Sequence, residues 1–148
     1  MKMVDIGEKQ KTERVAVARG FVSMGPPTVR IVRRGESEKG DVLAAARLAG
    51  ILAAKKTPDL VPLCHPIALS AVDVQALPRR GGVEIVATVR TVDRTGVEME
   101  ALSAVAAGCL TVYDMLKRYE RGMVIETIEL IEKKGGRSGP WRRGRVRP

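Results

Sequence analysis

The polar residues best placed to do chemistry fall in short, separated stretches. Asp114 and Lys117 are three apart and lie on one side of any helix that carries them. In Lys39-Gly40-Asp41 a cation precedes a glycine whose backbone can come close to a ligand. His65, the only histidine, sits between Cys64 and Pro66. A histidine in so restrained a stretch has a fixed direction, as a general acid or base requires. Glu98 and Glu100 open a long apolar segment. Lys133-Lys134-Gly135-Gly136-Arg137-Ser138-Gly139 is cationic and glycine-rich, able to fold over a phosphate although it lacks the P-loop pattern. Carboxylates, one imidazole and several lysines suit proton transfer on an anionic substrate. Each fragment also has a plainer reading: a solvated lysine, a structural histidine, capping glutamates, a surface ion pair, a basic tail.

The elements that must position these residues follow from patterning. Val15, Val17, Phe21 and Met24 mark a strand from about Glu13 to Met24, which Pro26-Pro27 ends. Residues 28–33 fit either a short helix opened by Pro27 or a short strand. After a polar loop from Gly35 to Gly40, Asp41 is placed to cap a helix running to about Lys55. Pro58, Pro62 and Pro66 predict an extended or looped stretch that holds His65. Leu69 to Leu77 and Val83 to Thr91 alternate as two strands of a hairpin around Pro78-Arg79-Arg80-Gly81-Gly82. Thr95 to Glu98 matches a capping box, predicting a helix to about Arg121 with Gly122 as its stop. Met123 to Ile131 reads as a last strand, and the chain beyond Lys134 is expected to move unless it docks. The pattern predicts an α+β fold, ferredoxin-like, with helices packed on one face of a mostly antiparallel sheet.

Helix geometry constrains the acids. At about 100° per residue, Glu98 and Glu100 are roughly 160° apart around the axis. Glu98 then serves as the cap while Glu100 points to a site, unless the first turn is irregular. Glu100 and Asp114 lie within roughly 40° of each other but about 21 Å apart along the axis, too far for one small ligand. If both act on it, a second copy must cross its helix over the first, with the small residues from Ala104 to Gly108 permitting the approach.

Composition narrows the classes. The 148 residues carry a formal charge of +9, yet seven basic residues and no acid fall between Lys133 and Pro148. The remainder holds 19 basic and 17 acidic groups, so the basicity is mostly a tail. A basic nucleic-acid module on a ferredoxin-like sheet is the alternative class, but Phe21, Tyr113 and Tyr119 leave few stacking residues. The sequence has no Asn and two Gln among many charges, a composition of heat-adapted proteins. Cys64 and Cys109 form no CxxC pair and are expected as reduced, buried thiols. No apolar run of about 18 residues predicts a membrane span, and Met1 to Asp5 lacks a signal-peptide core, so the expected place is the cytoplasm.

Taken in order, Lys39-Gly40-Asp41-Val42, Ala53-Ala54-Lys55-Lys56-Thr57, Leu63-Cys64-His65-Pro66, Gly96-Val97-Glu98-Met99-Glu100-Ala101-Leu102 and Tyr113-Asp114-Met115-Leu116-Lys117 resemble the MoaC family of molybdenum-cofactor biosynthesis. Met3-Val4-Asp5-Ile6 and Gly135-Gly136-Arg137-Ser138-Gly139 extend the likeness to most of the chain. The resemblance implies an enzyme of the lyase class that turns a 3′,8-cyclised dihydro-GTP, made by a radical GTP cyclase, into cyclic pyranopterin monophosphate and pyrophosphate. It implies catalytic roles for Asp114, Lys39, His65, Lys117 and Glu98. Leu63, Cys64, His65, Met99, Glu100 and Lys133 would bind substrate. It further implies a homohexamer, a trimer of dimers, with sites between chains. No membrane or nucleic-acid partner is implied. Arg137 departs from the family's usual lysine, a change that keeps charge but alters phosphate geometry. No metal-ligand set or cofactor motif is present, so no cofactor is expected; a divalent ion such as Mg on the phosphates stays open. Residues 1–139 are expected to form one catalytic domain and residues 140–148 a basic tail.

Overall fold

The computed structural model describes residues 1–144; Arg145 and Arg147 of the basic tail lie outside the described residues. Nine elements follow in order: β1 (Thr12–Ser23), α1 (Pro26–Arg34), α2 (Val42–Lys55), α3 (Thr57–Leu60), β2 (Ala71–Arg79), β3 (Gly82–Asp93), α4 (Glu98–Leu116), β4 (Val124–Lys134) and β5 (Trp141–Arg142). The strands lie in the order β2-β3-β1-β4-β5, and every neighbouring pair is antiparallel. The first four strands with their two crossover helices make the expected ferredoxin-like plan.

Alternation along the strands divides the sheet into two faces. Ala16, Ala18, Gly20 and Val22 of β1 are buried, as are Val83, Ile85, Ala87, Val89 and Thr91 of β3. Against this face lie α2 and α4, through Ala46, Gly50 and Ala54 of one and Ala101, Ala104, Val105, Gly108, Cys109 and Val112 of the other. Small residues bring the layers together. A Cβ on Gly20 would lie 2.5 Å from Val105 Cγ1 and 2.8 Å from Cys109 Sγ. One on Gly50 would lie 3.0 Å from the Ala104 carbonyl oxygen, and one on Gly108 3.4 Å from that of Ala46. By length and composition alone α4 could cross a membrane, although no span was expected; half of its apolar window is buried against the sheet and α2.

Several boundaries differ from the sequence reading. Residues 28–33 are helical, with Pro26 and Pro27 in the first turn of α1 where no backbone N–H is needed. The donors left there are met from across the fold: the Gly25 N–H donates to Glu120 at 2.9 and 3.1 Å, and the Thr28 hydroxyl donates to Glu120 Oε2 at 2.5 Å. Asp41 caps α2 as expected, accepting from the Ala44 N–H at 2.9 Å. The proline-rich stretch opens with the one-turn helix α3, whose first residue Thr57 is fully buried. The capping box does not form: Val97 stands at the N-cap of α4, and no side chain among the described residues caps it. Glu98 is drawn away to Lys133. The helix also stops at Leu116 rather than Arg121; beyond it the Tyr119 and Glu120 N–H groups both donate to the Leu116 carbonyl, at 2.8 and 3.2 Å. The segment after Lys134 docks, with Trp141 opposite Lys133 and Arg142 opposite Glu132. Cys109 is buried as expected, whereas Cys64 is only half-buried.

Gly20 is expected to be intolerant of a side chain. Gly20→Ala should lower stability by about 1–3 kcal/mol, the range for overpacking a closed layer. Gly81→Ala meets nothing within 4 Å among the described residues and should stay within about 0.5 kcal/mol of the parent. Urea denaturation of both variants checks this, and equal losses would rule out close approach as the reason for Gly20.

Candidate active site

Two polar clusters form, one at each end of α4. At the C-terminal end, Asp114 is held between two lysines from different elements. Lys39 Nζ, from the loop ahead of α2, donates to Asp114 Oδ2 at 2.6 Å and to the Asp114 carbonyl at 3.2 Å. Lys117 Nζ lies 2.8 Å from Asp114 Oδ1. All three side chains are about half exposed, at 51–54%. Ion pairs so open to water contribute little to stability, so holding the fold does not account for this cluster. The hydrogen bonds of Lys117 and then Lys39 bring the Asp114 carboxyl down to about 2, and the same contact raises Lys117.

The N-terminal cluster is more enclosed. Glu98 accepts from Lys133 Nζ at 2.6 Å, the pair being about one-quarter exposed. This contact joins the start of α4 to the end of β4. It also explains Gly96: a Cβ there would fall 1.9 Å from Glu98 Oε2. Glu100 turns inward as the helix geometry requires and is 2% exposed. Its Oε1 receives the Cys64 thiol at 3.8 Å, while Oε2 is buried with no partner among the described residues. Burial pushes the Glu100 carboxyl up, with the Glu98 charge adding to the rise and the thiol contact opposing it. Burial first, then the Glu100 charge, pushes the Cys64 thiol up.

Of the other candidates, His65 follows Cys64 and is half-buried; its ring has no hydrogen-bond partner among the described residues. Leu63 and Met99 are exposed at the same end of the molecule as Cys64 and Glu100. Among the described residues no group of three or more His, Cys, Asp or Glu is placed to hold a metal ion. The two clusters do not meet within one chain, since α4 is rigid and separates Glu100 from Asp114 by about 21 Å.

A family model described as the MoaC family matches residues 3–136. The chain belongs to the MoaC family. A protein of Thermomicrobium roseum is 61% identical over 144 residues, covering 96% of this chain and 87% of its own length. One from Novosphingobium aromaticivorans is 55% identical over 141 residues, covering 95% and 90% respectively. One from a Methylobacterium species is 56% identical over 141 residues, covering 94% and 88%. All three are named cyclic pyranopterin monophosphate synthase.

Within this MoaC-family chain, sequence reasoning missed the contact of Cys64 with Glu100 and the contact of Glu98 with Lys133. Both join segments more than 30 residues apart, and no local pattern encodes such distances. It also missed Glu38 and Arg118, which pair across the loop that carries Lys39. The run Lys117-Arg118-Tyr119-Glu120-Arg121 was a signal, but it reads as an ordinary charged helix end.

The buried Glu100 makes stability depend on pH in a defined direction. Its folded value is raised above the ordinary 4.5, so the protonated side chain favours the fold. That contribution is complete below the ordinary value and is lost as pH rises through the raised one. The stability of Glu100→Gln relative to the parent should therefore be flat at low pH and improve as pH rises above about 4.5. Urea midpoints at fixed protein concentration across pH 4–8 check this. A difference that stays constant over that range would mean that Glu100 titrates alike in both states.

Proposed function

We propose that this protein converts 3′,8-cyclo-7,8-dihydroguanosine 5′-triphosphate into cyclic pyranopterin monophosphate with release of pyrophosphate, an early step of molybdenum cofactor biosynthesis. Family membership and the names of the relatives support the reaction. The observation that carries the reading to particular atoms is the exposed carboxylate of Asp114, gripped by Lys39 and Lys117.

The two acids are pushed in opposite directions, which separates their roles. Glu100 holds its proton more firmly than a free glutamate and can serve as an acid. Asp114 in the empty chain is an anion and a weak base, because two ammonium groups stabilise its charge. A substrate phosphate competes for those same ammonium groups. As it draws Lys39 or Lys117 away, the hold on Asp114 weakens and its proton affinity rises, so arrival of the substrate activates the base. Formation of the cyclic phosphate breaks the bond between the α- and β-phosphates and leaves charge on the departing pyrophosphate. Lys39, Lys117 and Lys133 are the cations that can neutralise it. His65, beside Cys64, and Glu98 supply further proton-transfer groups at the Glu100 end.

A complete site takes one cluster from each of two chains. The surface for this pairing differs from the sequence expectation. Ala104 and Gly108 are already buried against α2 and the sheet. The outward side of α4 instead carries Ser103, Ala106 and Leu110; Leu110 is 61% exposed, and Leu48 and Leu52 of α2 are exposed as well. Apolar side chains so placed fit burial by a second copy with α4 antiparallel, which agrees with the trimer of dimers that the family resemblance implies.

Incubation with the cyclised nucleotide, followed by pterin fluorescence and a pyrophosphate assay, tests the reaction. Asp114→Asn and His65→Ala should each cut turnover at least about 100-fold, the scale of a lost acid–base group, with far-UV circular dichroism unchanged. Near-parental turnover would remove that residue from the site.

Mixing tests the shared site. Inactive Glu100→Gln and Asp114→Asn subunits, dissociated and reassembled together, should regain about a quarter of parental activity, because random pairing rebuilds one intact site in each mixed dimer. Mixed assemblies as inactive as their parents would place the whole site in one chain.

A further inference from the structure

A cleft of about 390 Å³ opens beside the Asp114 cluster, lined by Tyr113, Lys117, Arg118 and Arg121. Three of these four are cations, and none is a carboxylate. Lys117 also holds Asp114, so the cleft is continuous with that cluster. Its walls are fixed from several directions. The Tyr113 hydroxyl donates to the Arg121 carbonyl at 2.9 Å. The Glu38 N–H donates to the Tyr119 hydroxyl at 2.9 Å, while the Glu38 carboxylate holds the Arg118 guanidinium. Glu120, between them, is tied to Gly25 and Thr28. Arg121 makes no ion pair among the described residues.

The charges do not balance. Lys39, Lys117, Arg118 and Arg121 stand against Asp114 and Glu38, leaving a surplus of two positive charges. The C-terminal end of α4 tempers the repulsion, since helix carbonyls favour cations there, but that field acts on whatever cations are present and requires no concave arrangement of them. Two guanidinium groups at one concave surface match the oxygens of a phosphate chain, each able to donate two parallel hydrogen bonds.

We propose that this cleft is the subsite for the distal phosphates of the nucleotide and for the pyrophosphate released from them, with Arg118 and Arg121 as its ligands, an assignment that rests on the activity proposed above. Lys39 and Lys117 then meet the α-phosphate side, where the bond breaks, and the arginines hold the leaving group. Neither arginine belongs to the motifs that carry the family resemblance.

The test uses inorganic pyrophosphate and the full-length protein. Isothermal titration calorimetry should detect binding to the parent that weakens as salt is raised. In Arg118→Gln/Arg121→Gln the affinity should fall at least about tenfold, the scale of lost charge-assisted hydrogen bonds. Arg118→Lys/Arg121→Lys, which keeps the charge but loses the paired donors, should fall between. Product inhibition by pyrophosphate and KM for the cyclised nucleotide should move in step, with kcat changing less. If the double variant does not fold, Arg121→Gln decides, because it breaks no ion pair among the described residues and should still weaken binding severalfold. Absence of binding to the parent, or equal affinity in parent and variants, overturns the subsite. A parent that binds pyrophosphate through these arginines without turning over the cyclised nucleotide leaves the subsite standing and refutes the proposed reaction.

Discussion

The close packing of α4 on the small-residue face of the sheet is the constraint on which the rest of the structure depends. Gly20 lies under Val105 and Cys109, and Gly50 and Gly108 let α2 and α4 approach each other at their backbones. With only Ala, Val, Gly and Cys along much of its inner side, α4 has little shape to interlock, so closeness replaces bulk. Dispersion and burial both fall steeply with a small gap, which is why a single methyl group at Gly20 matters. Because α4 is one unbroken helix seated this way, its ends are held at a set separation. Each end carries a different kind of polar cluster.

Those clusters show how one helix can hold two carboxylates in opposite electrostatic states. Asp114 stands in water between two ammonium groups, which favour its charge. Glu100 is sealed behind Cys64 with one oxygen unpartnered among the described residues, and loss of water disfavours its charge. Neither environment is set by the helix itself. Lys39 comes from the loop before α2, Lys133 from β4 and Cys64 from the proline-rich stretch. The turn after α4 performs a second structural task, because Glu120 closes the N-terminus of α1 from across the fold. That turn is therefore anchored at both sides, which gives Arg118 and Arg121 defined positions.

Much of this was legible in the residues. Alternation located the hairpin, the first strand and β4, since a half-buried strand must repeat every second residue. Asp41 was readable as a cap because the hydrogen bond it makes is local. The angular separation of Glu98 from Glu100 predicted that they would face different surroundings, and one is indeed paired near the surface while the other is buried. The capping box at Thr95 failed for a reason the sequence could not contain: Lys133, 35 residues away, competes for Glu98 and wins. The end of α4 was misplaced because Lys117 to Arg121 has good helix propensity, and the pull of Gly25 and Thr28 on Glu120 is tertiary.

By itself, then, the sequence determined the order of the four long strands and of α2 and α4, the ferredoxin-like plan, the polar side chains available for chemistry and the family to which they belong. These follow from periodicity, local capping and ordered motifs, all of which act over a few residues. Tertiary structure alone decided which charges meet: Lys39 with Asp114, Glu98 with Lys133, Cys64 with Glu100, and three cations around one cleft. Proton affinity depends on distance and water exclusion, and both are set only when remote segments pack together.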